Sequence, residues 1–363
     1  MAVEMDEAAD RYQRGDLEGA LELYHQAGAH NNAGVVLRQL GRLAEAEAAF
    51  AAAFDDPDAA YHLAMMQLAR GDFAKGWAGF ERRPAQEHLR ASRAALMERQ
   101  WDGGELAGRR LFLWSEQGFG DAIQFLRFVA PLQARGADIV FDCHPELLRL
   151  LRRSLPGVEV VPRGGRVAGF EVAAALLSLP FLQGLTRLDE IPAQVPYLKP
   201  PGDQVAFWRR RLEPLSRPRI GLVWAGRPSH PDEHLRSLAP GALAPLLDLP
   251  ASFVSLQLGA SKVDDRLFDP TPEISDFADS AAIISQLDLV VSVDTAVAHL
   301  AGALGQPVWV LLPMVADWRW LRERETSPWY PTMRLFRQPA LHDWPGAITA
   351  LHDELAAWLA TYQ

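Results

Sequence analysis

Residues 289–302 read Leu-Val-Val-Ser-Val-Asp-Thr-Ala-Val-Ala-His-Leu-Ala-Gly. The first five are apolar except for one serine, a composition typical of a strand that is buried on both faces. Small and apolar residues from Ala296 onward favour a helix, which leaves Asp294-Thr295 in the turn between the two elements. A buried strand that leads directly into a helix is the repeating unit of parallel sheets. This stretch therefore predicts an α/β fold.

Similar strand and helix patterns flank this stretch and predict two successive βαβ blocks, separated by a proline-rich linker at residues 192–201. Two such blocks predict two Rossmann-like lobes with a ligand cleft at the carboxyl ends of their sheets. This is the GT-B architecture, although two Rossmann-like lobes also occur in epimerases and binding proteins. Strands are predicted at 110–115, 138–142, 158–161, 219–224, 252–257, 289–293 and 308–312, a further unit at 172–181, and helices at 121–134, 145–155, 240–247, 280–287, 296–304 and 344–362.

The first 84 residues carry a different pattern, which recurs three times. Gly15, Gly41 and Gly71 each follow an amphipathic stretch, and each precedes a small residue by five positions and an aromatic residue by nine. Such a glycine can end a helix in a left-handed conformation, so the pattern predicts helical hairpins. They resemble a tetratricopeptide array, although intervals of 26 and 30 residues are shorter than the usual period of about 34. The hairpins serve either packing and self-association or the binding of a protein partner.

Composition excludes several classes of function. The chain has 363 residues and a net charge of −10, and its lysines and arginines are scattered, which argues against a nucleic-acid binder. No apolar run approaches the roughly 20 residues that span a bilayer. Residues 1–10 carry four acids, and Cys143 is the single cysteine. We expect a cytoplasmic protein without a secretory signal, a disulfide or an integral membrane segment.

The Asp294-Thr295 turn is the first candidate site. The amides of Thr295, Ala296 and Val297 would point out of the helix start, where the helix dipole favours an anion such as a diphosphate. Asp294 would repel that anion, so we expect it to brace the turn as the N-cap of the helix. The alternative is a helix cap without a ligand. His299 either faces the cleft or is a buried structural histidine.

The second candidate is the turn Glu116-Gln-Gly118-Phe-Gly120-Asp121, after the first strand of the first block. It lacks the third glycine of a dinucleotide fingerprint and the lysine of a P-loop. Asp121, with Glu116 nearby, is suited to take a proton from an attacking sugar hydroxyl, a role that typically contributes about 10² to 10⁴ in rate. The alternative is that Asp121 only caps the helix.

Two further segments carry candidate binding residues. In the loop at residues 224–237, Arg236 is predicted to neutralise a leaving diphosphate, because its planar fork suits phosphate oxygens. The segment 317–331 contains three tryptophans, which either stack on a base or sugar ring or pack between the lobes. We predict no metal site, since Pro231 breaks any helix that would align the ligand types in the loop, namely His230, Asp232, Glu233 and His234.

Together these segments resemble heptosyltransferase-like glycosyltransferases of the family nine type fused to tetratricopeptide repeats. The resemblance extends from Gly71 to Gln338 and rests on the two turns, the strand at 221–226, Arg236-Ser237 and the aromatic segment. It implies an inverting, metal-independent GT-B enzyme in which Asp121 is the base and the second lobe holds the nucleotide. The residues predicted to bind the nucleotide sugar are Gly118, Gly120, Arg236, Ser237, Gln257, Asp294, Thr295, Ala296 and His299.

The sequence thus predicts helical repeats at 1–84, an acceptor-side lobe at 85–200, a nucleotide-sugar lobe at 201–341 and a C-terminal helix at 342–363. The predicted function is transfer of a sugar from a nucleotide diphosphate donor to a carbohydrate or protein acceptor. No cofactor other than this co-substrate is expected. One alternative is a scaffold or sensor that binds through its repeats and keeps the lobes as an inactive module. Another is an epimerase that acts on a nucleotide sugar.

Overall fold

The computed structural model describes residues 2–83, 94–165, 167–228, 233–259 and 264–362. They divide into two compact units. The helical unit contains the residues up to Ala94 together with the segments Gly184–Glu190 and Met314–Glu323, and the α/β unit contains the remainder. The region boundaries expected at residues 84, 200 and 341 stay predictions.

Three helix pairs form the helical unit, and a glycine links the helices of each pair. Gly15, Gly41 and Gly71 have φ angles of 82°, 73° and 85°, which lie in the left-handed region that only glycine adopts at little cost. The predicted helical hairpins are confirmed, and the fusion to true tetratricopeptide repeats stays a prediction. The helices are α1 (Ala2–Gln13), α2 (Leu17–Gln26), α3 (His30–Gln39), α4 (Leu43–Ala52), α5 (Pro57–Ala69) and α6 (Phe73–Phe80).

The segment Met314–Glu323 is an integral part of the helical unit. Trp318 is 3% exposed, and its ring meets the rings of Trp77 and Phe80 edge-on, with centroid distances of 5.2 and 5.8 Å. The backbone amide of Arg322 donates to the carbonyl of Ala69 at 2.9 Å. Aromatic edge-to-face contacts of this kind stabilise a core beyond the area that they bury.

The tryptophans of the predicted aromatic segment are therefore packing residues in this structure. Trp318, Trp320 and Trp329 are 3%, 0% and 0% exposed. A ring that stacks on a base or a sugar needs an open face, and these rings have none. The structure favours packing over stacking for this segment, but Trp318 packs on the helical repeats rather than between the lobes, as the second alternative expected.

The first lobe of the α/β unit is built on a four-stranded parallel sheet with the strand order β3-β2-β1-β4. A short helix, α7 (Ala94–Met97), precedes the sheet. Three of these strands are almost entirely buried, as their apolar runs predict, whereas β3 at the edge of the sheet is mostly accessible. The elements are β1 (Arg110–Trp114), α8 (Phe119–Phe125), α9 (Val129–Ala134), β2 (Asp138–Cys143), α10 (Leu148–Ser154), β3 (Val158–Pro162), β4 (Val172–Ala175) and α11 (Leu179–Leu182).

The second lobe contains a six-stranded parallel sheet with the order β10-β9-β8-β5-β6-β7. The linker helix α12 (Gly202–Leu212) leads into this lobe, and the last helix is α16 (Trp344–Thr361). The remaining elements are β5 (Arg219–Val223), α13 (Glu233–Arg236), β6 (Ser252–Ser255), β7 (Leu267–Phe268), α14 (Phe277–Ile284), β8 (Leu289–Val293), α15 (Ala296–Ala303), β9 (Val308–Leu312) and β10 (Met333–Arg337).

The strand orders place one switch point in each lobe. Counted from β5, the second sheet has the order 3-2-1-4-5-6 of a doubly wound dinucleotide-binding fold, and the direction of winding reverses between β5 and β8. In the first sheet the reversal lies between β1 and β4. Ligands of such sheets bind outside the carboxyl ends of the strands at these points. The predicted fold class, two Rossmann-like sheets after an all-α region, is confirmed.

Several elements differ from the sequence-based expectations. The helix expected at 121–134 is divided into α8 and α9 by a 3₁₀ turn at Leu126–Phe128, because Pro131 has no amide proton and its ring clashes with the carbonyl four residues earlier. The helix expected at 240–247 is only a 3₁₀ turn at Ala244–Asp248, in a stretch interrupted by prolines. The strands β7 and β10 were not predicted, since one is two residues long and the other carries two arginines.

Among the described residues, no helix has both the length and the apolarity required to cross a membrane.

Truncation of Trp318 to alanine should destabilise the helical unit. The change removes the ring that fills the space beside Trp77 and Phe80, and such a cavity typically costs about 3 to 5 kcal/mol. Hydrogen exchange of the α5 and α6 amides should become faster in Trp318→Ala. Met314→Ala, in the same segment but 45% exposed, is the matched control and should leave exchange unchanged. Equal exchange in both variants would contradict the structural role of Trp318.

Candidate functional site

The turn after β8 is closed by Thr295 rather than by Asp294. Thr295 is the N-cap of α15, with extended backbone angles (φ −142°, ψ 168°) and no side-chain hydrogen bond to the helix. Its hydroxyl lies 3.0 Å from the hydroxyl of Ser292. The expectation that Asp294 is the N-cap is wrong, because the helix begins one residue later and Thr295 occupies that position. The side chain of Thr295 makes no hydrogen bond to the amides of the first turn.

Asp294 and His299 lie against each other beneath this turn. Asp294 is 8% and His299 4% exposed, and Nε2 of His299 is 3.9 Å from Oδ1 of Asp294. The other ring nitrogen, Nδ1, is 3.0 Å from the hydroxyl of Tyr330. His299 is therefore a buried histidine whose two nitrogens both face polar groups.

Asp121 stabilises the start of α8. Gly118 is the N-cap of this helix, and the carboxylate of Asp121 accepts a hydrogen bond from its amide at 2.9 Å. This contact satisfies one of the amides that a helix start leaves unpaired. Asp121 and Glu116 are partly buried at the carboxyl edge of the first sheet. Of the two roles considered for Asp121, the structure shows the capping contact directly, and the catalytic role stays a prediction.

Gly120 brings the two predicted turns together. A Cβ atom on Gly120 would lie 3.0 Å from Cδ2 of His299 and 3.6 Å from Cα of Ala296. A side chain here would therefore require the His299 ring or α8 to shift by a few tenths of an ångström. Because this glycine permits close approach, the first turn of α8 contacts the first turn of α15, and Asp121 and Thr295 belong to one region.

The loop after β5 forms a compact polar cluster. The amide of Gly226 donates to Oε1 of Glu233 at 2.8 Å and to the hydroxyl of Ser237 at 2.9 Å. Arg236 Nε donates to the same glutamate at 3.2 Å, and its side chain is 18% exposed. A Cβ atom on Gly226 would lie 2.7 Å from Oε2 of Glu233 and 3.0 Å from a terminal nitrogen of Arg236, so a side chain here would displace the ends of these two side chains. Arg236 is thus held at the loop by its own carboxylate partner.

The position of this loop follows from strand pairing. Val223 at the end of β5 pairs with Ser292 in β8, and neighbouring strands lie about 4.8 Å apart. The loop after β5 and the Asp294-Thr295 turn therefore leave the sheet side by side. Gln257, at the end of the next strand, accepts hydrogen bonds through Oε1 from the amides of Trp224 and Ala225 at 3.1 and 2.9 Å. In this structure Gln257 orders the β5 loop, and its predicted place near a ribose stays a prediction.

The first lobe contributes a second polar cluster at its carboxyl edge. His144 Nε2 lies 2.8 Å from the carbonyl of Gln117, and its ring meets the ring of Phe119 at 4.8 Å. Arg163 donates to the carbonyl of Ser115 at 2.7 Å. The loops after β1, β2 and β3 are thereby tied together, which orders the turn that carries Asp121.

The most important group that sequence reasoning missed is Arg127. It is 3% exposed and donates to the carbonyls of Gln124 at 2.8 Å, Pro192 at 3.3 Å and Trp329. Its guanidinium also donates to the hydroxyl of Tyr197 at 3.2 Å and lies over the ring of Tyr330 at 4.5 Å. The sequence signal is a single charge inside the apolar run 125–129.

A second contact between the lobes was also missed. Arg149 on α10 donates to both carboxylate oxygens of Asp276 at 2.9 and 2.7 Å and to Asp279 at 2.9 Å. Asp276 is the N-cap of α14, and Asp279 also accepts a hydrogen bond from the indole of Trp208 at 3.1 Å. The bidentate pair fixes the orientation of two helices from different lobes. No pattern in the sequence indicates this contact, because Arg149 lies far along the chain from Asp276 and Asp279.

No cluster of three or more His, Cys, Asp or Glu side chains that could hold a metal ion occurs within the described ranges. Two of the ligand types in the β5 loop, His230 and Asp232, lie outside those ranges.

Comparison with known proteins bears on the same turn. Residues 274–314 match the model of Glycosyltransferase family 9 (heptosyltransferase), and this segment contains β8, the Asp294-Thr295 turn and α15. Protein FlbA of Caulobacter vibrioides (strain ATCC 19089 / CIP 103742 / CB 15) is 28% identical over 376 residues. That alignment covers 91% of this chain and 62% of the relative, so the chain spans about three fifths of its length. The resemblance to family nine is confirmed for the matched segment, which supports a glycosyltransferase.

Two solved structures are similar to this chain in fold. One is the glycosyl transferase family 9 from Veillonella parvula DSM 2008, with a TM-score of 0.49 and 11% identity over 72% of this chain and 91% of that one. The other is the ADP-heptose lps heptosyltransferase II of E. coli, with a TM-score of 0.48 and 14% identity over 69% of this chain and 98% of that one.

Acid should destabilise the protein partly through His144. Burial, and then the positive charge of Arg163, lowers the pKa of His144 in the folded state. The unfolded chain binds a proton near pH 6.5 and the folded chain does not, so the free energy of unfolding falls as the pH drops below that value. His144→Gln, which retains a donor for the Gln117 carbonyl, should show a smaller fall between pH 7 and pH 5 in urea unfolding.

The exposed His25 provides a control for this experiment. His25→Gln removes a histidine by the same substitution without changing the cluster. If the free energy of unfolding of His144→Gln depends on pH in the same way as that of the unmodified protein, His144 does not stay neutral in the folded state.

Proposed function

We propose that the protein transfers a sugar from a nucleoside diphosphate sugar to an acceptor hydroxyl. The observation that carries this proposal is the contact at Gly120, which puts an acid at the start of α8 next to the helix start of α15. Sugar transfer needs both of these features, since a base must activate the acceptor and an anion site must hold the leaving diphosphate. The match of residues 274–314 to Glycosyltransferase family 9 supports it independently.

The diphosphate would bind at the start of α15. The side chain of the N-cap Thr295 does not bond to the amides of this first turn, and the positive end of the helix dipole favours a dianion. Arg236 would add a full positive charge from the neighbouring β5 loop, with Ser237 in the same cluster. Because Arg236 now pairs with Glu233, the diphosphate would compete for that guanidinium. Charge neutralisation by protein groups is the reason that we propose a metal-independent reaction.

Asp121 would act as the base. The acceptor hydroxyl gives its proton to the carboxylate while its oxygen forms a bond to the anomeric carbon. The bond from that carbon to the diphosphate oxygen breaks, and the diphosphate leaves with the electron pair. A single displacement of this kind inverts the anomeric configuration, so we propose an inverting enzyme. Glu116 lies in the same turn and would keep the local field negative on the acceptor side.

The first lobe would bind the acceptor, because Asp121 belongs to that lobe. The acceptor would be a carbohydrate or a protein, since either supplies a hydroxyl. The helical unit would bind a protein partner or a second copy of the chain. A cytoplasmic location is proposed because nucleotide sugars serve as donors there.

Calorimetric titration with ADP, GDP, UDP and CDP tests the donor site. At least one of them should bind, and Arg236→Ala should weaken its binding about tenfold to a hundredfold, since a charge-assisted hydrogen bond contributes about 1.5 to 3 kcal/mol. Arg266→Ala, which removes an exposed arginine of the same lobe, is the control and should bind normally. If none of the nucleotides binds and partner binding survives Arg236→Ala, the protein is a scaffold with an inactive module.

Two substitutions separate the capping and catalytic roles of Asp121. Asp121→Asn keeps an oxygen that can accept from the Gly118 amide but removes the base, so the transfer rate should fall about 10² to 10⁴-fold at nearly unchanged stability. Asp121→Ala should lower both the rate and the melting temperature, because the helix start also loses its partner. An undiminished rate in Asp121→Asn would show that the residue only caps α8. A free sugar isomer formed without any acceptor would instead favour an epimerase.

A further inference from the structure

We infer that Tyr330 is a positioning residue for the turn after β8. Its hydroxyl donates a hydrogen bond to Nδ1 of His299 and so fixes the tautomer in which Nε2 carries the proton. The N–H group then points toward Asp294 and braces the turn at which α15 begins. The tautomer itself is independent of the proposed function, whereas its consequence for nucleotide binding rests on it.

The neighbouring hydroxyls determine the direction of this hydrogen bond. Tyr197 donates its single hydroxyl proton to the carbonyl of Ile123 at 2.9 Å and accepts from Arg127 at 3.2 Å. The hydroxyl of Tyr330 lies 3.0 Å from Nδ1 of His299 and 3.5 Å from the hydroxyl of Tyr197, and it also accepts from the guanidinium of Arg127, which can only donate. The single hydroxyl proton forms the stronger hydrogen bond with the nearer acceptor, so Tyr330 donates to His299.

The carboxylate of Asp294 selects the same tautomer for a separate reason. Nε2 lies 3.9 Å from Oδ1, which is too long for a hydrogen bond, so this electrostatic preference is weaker than the one that the Tyr330 hydrogen bond imposes. An N–H dipole directed at a carboxylate is attractive, and a nitrogen lone pair in the same place is repulsive. The opposite tautomer would therefore be unfavourable at both nitrogens of His299.

Tyr330 is held rigidly enough to impose this choice. It is completely buried, and a Cβ atom on Gly302 would lie 2.6 Å from its ring, so the ring packs directly on the helix that carries His299. The guanidinium of Arg127 lies over the same ring at 4.5 Å. Burial raises the pKa of Tyr330 well above its usual range, so the hydroxyl keeps the proton that it donates.

The hydrogen bond from Tyr330 to His299 is connected to the proposed site through two contacts. Asp294 directly precedes the N-cap Thr295, and the edge of the His299 ring contacts Gly120 in the turn that carries Asp121. A change in the His299 tautomer would reverse the field at Asp294 and loosen the turn whose amides would hold the diphosphate. Tyr330, which would touch no substrate, thereby acts through His299.

The tautomer can be observed directly by NMR of the full ¹⁵N-labelled chain without any ligand. The chain has ten histidines, and His299→Gln identifies the signals of His299 by their loss. At neutral pH the two-bond ¹H–¹⁵N correlations should show a protonated Nε2 and an unprotonated Nδ1. In Tyr330→Phe, which keeps the ring against Gly302 and Arg127, this pattern should give way to a mixture of tautomers. Tyr197→Phe is the matched control and should preserve the pattern.

Nucleotide binding provides a second readout. Tyr330→Phe should weaken binding of the preferred nucleoside diphosphate about threefold to tenfold, the range expected for one hydrogen bond. A protonated Nδ1 in the unmodified protein would overturn the inference, and so would a tautomer pattern that Tyr330→Phe does not change. If the variant fails to fold, the spectrum of the unmodified protein alone still tests which nitrogen of His299 carries the proton. A changed tautomer with unchanged affinity would refute the link to the turn. Absence of any nucleotide binding would refute the proposed function and leave the NMR result valid.

Discussion

The burial of one guanidinium organises the α/β unit. Arg127 is 3% exposed, and its donors are satisfied by carbonyls of Gln124, Pro192 and Trp329. These carbonyls belong to the first lobe, the linker and the second lobe. A buried cation that lost such partners would be destabilised by several kcal/mol, so all three segments are held where they reach it. Satisfying this charge, together with the pair of Arg149 and Asp276, sets the orientation of the two lobes.

The contact between the two helix starts depends on this orientation. With the lobes held by Arg127, and by the pair of Arg149 with Asp276, α8 meets α15 at Gly120, where the absence of a side chain allows a close approach. The positive ends of two helix dipoles then meet in one region. Acids are also concentrated there, with Asp121 at α8 and Asp294 beneath the turn. A region with an anion-binding side and an acidic side suits a reaction that holds a diphosphate and removes a proton.

Several features of the fold could be predicted from the sequence because they depend on local patterns. The apolar runs that form β1, β2, β5, β8 and β9 are buried on both faces. Such strands can be identified from their continuous apolar composition without knowing which strands they pair with. The glycines at the hairpins were recognised because a left-handed turn needs a residue without a side chain. Predictions failed where two local signals compete. Pro131 divided a helix that its apolar periodicity favours, and Thr295 rather than Asp294 became the N-cap, since both residues are good capping types.

The sequence by itself determined the periodicities, the places where strands turn into helices and the residue types at those turns, since each depends on neighbours within a few positions. Only the tertiary structure decided that Asp121 accepts from Gly118, that Trp318 packs in the helical unit and that His299 lies between Asp294 and Tyr330. Contacts of the last kind join distant parts of the chain, as Arg127 and Trp329 do across 202 positions. Their geometry is fixed by strand order and lobe orientation, and no local pattern of residues encodes either one.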